Sequence, residues 1–142
     1  MGFRHHVNQK LEFTMRADGA VLKVAKAGPP PAIELIFGHA QWGKYEVWLW
    51  DLAGHNPTLV RRGLNNDNIP DKFPISVSAA ELEKCQLTWE VTIGALGAKD
   101  QQYSLQVIFT QGGKQLTAQP FFYTGPLDAV KVIADFVKFR TV

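Results

Sequence analysis

Stretch after stretch of this chain alternates apolar with polar residues. Leu11, Phe13 and Met15 alternate with Lys10, Glu12, Thr14 and Arg16, and Tyr45, Val47 and Leu49 with Glu46, Trp48 and Trp50. Leu87, Trp89, Val91 and Ile93 alternate with Thr88, Glu90 and Thr92. Tyr103, Leu105, Val107 and Phe109 do so with Ser104, Gln106, Ile108 and Thr110. A period of two sends successive side chains to opposite faces of a strand, one face toward a core and one toward water. Strands with one wet face belong to antiparallel sheets. Short strands punctuated by turns make a sandwich or barrel. The expected fold is therefore all-β: a two-layer antiparallel β-sandwich, jelly-roll or Ig-like, of about eight or nine strands across residues 1–142.

The punctuation agrees. Ala17-Asp18-Gly19 is a turn before a short strand from Val21 to Ala25, which Gly28 and Pro29-Pro30-Pro31 end because proline cannot donate to a ladder. Ile33, Leu35 and Phe37 form the next inward set. Asp51 to Pro57 reads as a turn leading to a strand from Thr58 to Arg62, and Gly63 to Pro74 as a long loop. Gly112-Gly113 suits a two-residue hairpin, with Leu116 to Tyr123 returning as the partner strand. Ser78-Ala-Ala-Glu81 has the form of a capping box, so one or two helical turns at most are expected. The C-terminus is ambiguous: Leu127, Val130, Ile133, Ala134 and Val137 have helical spacing, but β-branched and aromatic residues dominate from Val130 to Val142. A strand is the preferred reading.

The 142 residues suffice for a core without disulfides or metals, and 46% hydrophobic against 20% charged residues excludes disorder. A net charge of +2 gives no general attraction to nucleic acid or anionic lipid. One cysteine, Cys85, forms no internal disulfide, which argues against a stapled secreted domain. The residues from Met1 to Lys10 lack an apolar signal core, and no apolar run reaches the ~20 residues of a membrane span. The default location is cytoplasmic, although a protein exported without a signal reads the same way.

Catalytic motifs are missing: no Gly-x-Ser-x-Gly, His-Glu-x-x-His, phosphate loop or dinucleotide fingerprint occurs. His5, His6, His39 and His55 have no metal spacing, and Cys85 reads as a small core residue rather than a nucleophile. Glu46 and Glu90 both fall on outer faces and could flank a sugar as hydrolysis requires, but solvated strand positions explain them more simply. The expectation is a protein that is not an enzyme.

Trp48 and Trp50 are the informative residues. One strand repeat apart, roughly 7 Å, they share the face opposite Tyr45, Val47 and Leu49. Such a pair makes a flat apolar platform with polar N–H edges, suited to the C–H faces of sugar rings. Trp42, in a Gly-flanked loop, extends it. Tryptophan is highly buried on average, so cover by a loop, the C-terminal segment or a second copy competes with exposure. Asn65, Asn66, Asp67 and Asp71 offer the hard oxygens that calcium prefers, but without the EF-hand glycine and terminal glutamate, so turn chemistry is preferred and no cofactor is expected. Arg61-Arg62 beside the tryptophans is a weak nucleic-acid signal, since no continuous basic track accompanies it.

The resulting expectation is a lectin-like module binding carbohydrate through Trp42, Glu46, Trp48, Trp50 and the loop residues Asn65, Asn66, Asp67 and Asp71. The alternative is a self-assembling subunit that buries the tryptophan face and C-terminal strand in a homo-oligomer.

Overall fold

The computed structural model describes residues 14–38, 40–97 and 101–142. Among these residues it is a two-sheet β-sandwich of ten strands and one helical turn. The strands are β1 (Ala20–Val24), β2 (Ala32–Phe37), β3 (Gln41–Asp51), β4 (Thr58–Asn65), β5 (Asp71–Pro74), β6 (Cys85–Ala95), β7 (Gln102–Gln111), β8 (Lys114–Gln115), β9 (Phe121–Pro126) and β10 (Lys131–Thr141). The helix α1 (Ala79–Leu82) precedes β6, and the Ser78 hydroxyl accepts from the Glu81 N–H at 3.3 Å, as the capping box required.

The first sheet runs β1-β10-β6-β3-β4. In the second, β5-β2-β7 continue to β8 and β9, which pair with successive parts of β7. Inward residues of both sheets form one core around Val47, Leu87, Trp89, Val91, Leu105 and Phe109. Within it the Trp89 ring packs against Phe109 and Phe121, with centroids at 5.8 and 6.2 Å, and those two rings meet edge to face at 6.2 Å. The alternation is thus explained by burial on one face only.

Several expectations need correction. The sheets are not wholly antiparallel: β1 lies parallel to β10, with Ala20 opposite Val137 and Val24 opposite Thr141. Gly63 to Pro74 is not one long loop, because β4 extends to Asn65 and β5 starts at Asp71. Trp42 lies within β3, not in a loop. Gly112 and Gly113 do take positive φ, 59° and 82°, but the returning strand breaks after Gln115 and resumes at Phe121. The C-terminal segment is a strand, as preferred. Leu11 and Phe13 of the first alternating stretch lie outside the described residues, and Met15 bridges Phe122.

Candidate functional site

The pleat of β3 places Trp42, Lys44, Glu46, Trp48 and Trp50 on the outer face of the first sheet, half-buried apart from the exposed Lys44. Cross-strand register builds the surface from there. Trp48 faces Thr88 on β6, and Thr88 faces Phe136 on β10. In the next row Arg62, Glu46, Glu90 and Ala134 follow one another across four strands. A bulge in β4 opposite the Val47–Trp48 step brings Leu59 alongside Trp48.

These rows enclose an open groove of about 530 Å³, lined by Trp48, Trp50, Phe136, Thr88, Glu46 and Glu90 together with Asp18, Trp89, Ala134 and Asp135. The indoles of Trp48 and Trp50 stand 6.3 Å apart, tilted by 43°. Their N–H groups are not free edges: Trp48 Nε1 donates to Glu46 Oε1 at 2.9 Å, and Trp50 Nε1 donates to Thr88 Oγ1 at 2.9 Å. These bonds fix the orientation of two indoles that both line the groove, and the 43° tilt makes them an angled pair rather than the flat platform expected from the sequence. Glu46 Oε2 takes Arg62 Nε at 2.9 Å. The Trp48 hydrogen bond first, then that from Arg62, hold the Glu46 carboxyl below the usual carboxylate range.

Two hollows adjoin the groove. One of about 310 Å³ shares Trp50, Thr88 and Phe136 with it and adds Gln86 and Gly54. The other, about 190 Å³, shares Glu46 and Glu90 and adds Lys44, Tyr45 and Thr92. From Lys44 to Trp50 the three depressions follow β3 for roughly 20 Å.

One wall is the turn before β1. Asp18 and Gly19 adopt φ of 44° and 75°, and the Gly19 backbone rests on the Phe136 ring so closely that a Cβ would lie 2.8 Å from it. Asp135 holds that turn. Although it sits at an inward position of β10, it accepts from the N–H groups of Ala17 and Asp18 at 2.8 Å each and from the Tyr123 hydroxyl at 2.5 Å. Burial, and then the bond to Asp135, push the Tyr123 phenol well above its ordinary range. A buried carboxylate is costly unless satisfied in this way.

The expected site residues separate into two groups. Glu46, Trp48 and Trp50 meet in the groove. Trp42 shares their face but lies across Gly94, roughly 20 Å along β3 from Trp48, and does not extend the platform. The Asn/Asp loop lies near that same end, with Asn65 opposite Gly43, five residues from Trp48. Its side chains are engaged locally: Asn65 Nδ2 donates to the Ile69 carbonyl, Asn65 Oδ1 accepts from Asn68, and Asp67 Oδ1 accepts from Ile69 N–H. Asp71 accepts the Tyr45 hydroxyl at 2.7 Å, and burial leads the effects that push Tyr45 up to about 12. Asn66 is exposed and lines none of these depressions.

Arg61 and Arg62 diverge, as neighbours in a strand do: Arg61 lies over the Phe73 ring at 5.2 Å, while Arg62 holds Glu46. Cys85 is half-buried and burial raises its thiol, the opposite of an activated nucleophile. Phe136, Thr88, Asp18 and Asp135 were missed as site residues. A charged residue at an inward register of a hydrophobic strand was the available signal for Asp135.

No protein-family model matches the chain, and no curated protein does. Two solved structures are similar in part. One is a domain of unknown function, DUF4425, from Bacteroides vulgatus ATCC 8482 (TM-score 0.39). The other is a DUF4425 family protein from Bacteroides ovatus ATCC 8483 (TM-score 0.41). Each shares 9% identity, covering 78% of this chain and 96% of the other. A likeness of that size carries no functional argument.

Proposed function

We propose that the protein is a non-enzymatic binding module that takes a saccharide along the outer face of its first sheet. The observation that carries this reading is the half-buried Trp48–Trp50 pair, whose N–H groups are tied down and whose side chains line an open groove. Sugar rings present C–H faces to such a surface and hydroxyls to neighbours such as Glu90, Thr88 and Gln86. The extension into two adjoining hollows favours an oligomer over a monosaccharide.

Hydrolysis is the less favoured use of the same residues. Glu46 and Glu90 do stand opposite each other. A general acid needs a carboxyl kept protonated by an apolar pocket. Glu46 is held ionised by two donors, and Glu90 is exposed.

A second reading is association with further copies through the same face. Val21, Leu64 and Val132 are outward on it and 56%, 62% and 64% exposed, so this face carries apolar side chains outside the groove as well, set opposite Lys138, Lys44 and Thr92. A glycan array run beside light scattering at several concentrations separates the two. Specific glycan binding by a species of constant mass supports the saccharide module; concentration-dependent mass with a blank array supports assembly.

A further inference from the structure

Residues 14–24 are held by the last strands of the chain, not by the strand that follows them. Met15 pairs with Phe122, Ala17 and Asp18 donate to the Asp135 carboxylate, and Gly19 N–H donates to the Phe136 carbonyl. β1 then lies along β10 as far as Thr141, and the Val24 carbonyl accepts from Val142 N–H at 2.9 Å. Ala17, Leu22 and Val24 are buried there. Among the described residues β10 is the one ladder partner of β1, so β1 is an edge strand and leaves its slot sideways without opening another ladder.

The link to β2 is a tight turn followed by a stiff spacer. Gly28 N–H donates to the Ala25 carbonyl at 3.0 Å and closes the turn. Pro29, Pro30 and Pro31 follow, and a proline run is extended, with the residue before it biased the same way. The reversal is therefore confined to residues 25–28. One side chain clamps it: Gln111 Oε1 accepts from Ala25 N–H at 2.8 Å, and Gln111 Nε2 donates to the Ala25 and Pro29 carbonyls at 2.9 Å each. Opening this one turn releases β1 in line with the proline spacer, at the cost of a few local hydrogen bonds.

We propose that residues 14–24 exchange between two copies of the chain, with residues 25–28 as the hinge and Gln111 as its clamp. Exchange of an identical element is a low-cost route to a dimer, because the interface it needs already exists within one copy. Each contact of residues 14–24 with β9 and β10 is remade in the other copy. This dimer differs from one formed through the sheet face. Asp18 lines the groove and Gly19 rests on Phe136, so after exchange each groove takes that wall from the other copy and is completed in trans.

The test places a cysteine pair across the exchanged ladder. Val21 and Lys138 are register partners and both exposed, and adjacent strands lie within disulfide reach. The full chain carrying Val21→Cys and Lys138→Cys, with Cys85→Ala to remove the native thiol, is incubated at rising concentration, oxidised and run without reductant. The expected result is a reducible covalent dimer whose share grows with concentration and which forms about tenfold faster when Gln111→Ala is added. A disulfide within single chains at every concentration overturns the exchange, and a dimer mass by light scattering in that sample leaves association through the sheet face standing instead. An unchanged rate with Gln111→Ala overturns the hinge. The unaltered chain gives a check that needs no variant: its dimer should separate slowly on dilution, because β1 must first be released. A monomer mass at every concentration, or a dimer that separates at once, overturns the proposal.

Discussion

Trp89 and Trp48 come from neighbouring strands of one sheet and illustrate two uses of the same side chain. Trp89 points inward, is 1% exposed and packs against Phe109 and Phe121 from the opposite sheet. Trp48 points outward, has Trp50 as its aromatic neighbour and is held by Glu46. Burial organises the first cluster and hydrogen bonding orients the second. An indole that served only the fold would gain more by being covered. The difference implies that truncation should harm stability on the inner face and binding on the outer one.

The largest effect is expected at Trp89. Trp89→Ala removes the centre of the core and should cost about 3–5 kcal/mol in denaturant unfolding. A loss under ~1 kcal/mol would mean that the inner cluster is not what holds the sheets together.

Next comes Asp135→Ala. It strands the Ala17 and Asp18 N–H groups and the Tyr123 hydroxyl, at about 1–3 kcal/mol for each buried group left unpaired. It should also loosen the Asp18–Gly19 wall, so a stability loss without weaker ligand binding would separate the wall from the groove.

The pH dependence has a definite sign on each side. Tyr45 and Tyr123 have folded pKa values raised above the usual 10.0, first by burial and then by their bonds to Asp71 and Asp135. Their contribution is fully present below pH 10 and is lost as pH rises through the folded values, about 12 for Tyr45. Glu46 is lowered, first by Trp48 and then by Arg62, so its contribution is present above the usual 4.5 and is lost as pH falls through its folded value. Tryptophan fluorescence should therefore change on acidification below about 4.5 in the native protein, and Glu46→Gln should abolish that change. An unaltered acid transition in Glu46→Gln would detach Trp48 from its partner.

The smallest effect is expected for calcium. With the Asn65, Asp67 and Asp71 oxygens engaged by Asn68, Ile69 and Tyr45, the melting temperature should not move when calcium replaces chelator. An upward shift that Asp67→Ala removes would show a metal site in the loop.

Much of this was legible before any coordinates. Alternation identified the inward faces of β3, β6 and β7, because a half-buried strand has no other way to satisfy both faces. The glycine pair and the Ser78 cap were legible because each is a local backbone requirement. Pairing was not: nothing in Val21 to Ala25 says that its neighbour is the parallel β10, since register and direction are properties of two strands together. For the same reason Trp48 and Trp50 were identifiable as outward, while Phe136 and Thr88 were not, being added only by cross-strand register. Asn65 to Asp71 looked like a ligand loop because local Asx-type bonds and metal ligation use the same oxygens.

On the proposed function, Trp48 serves a ligand more than the fold. Denaturant unfolding and oligosaccharide titration of Trp48→Ala, each beside the unaltered protein, test it most directly. The expected result is a stability loss of about 1 kcal/mol, as for a half-buried side chain, with binding weakened beyond detection. A loss of about 3–5 kcal/mol with affinity unchanged in the remaining folded fraction would contradict it, and Trp48 would then belong with Trp89.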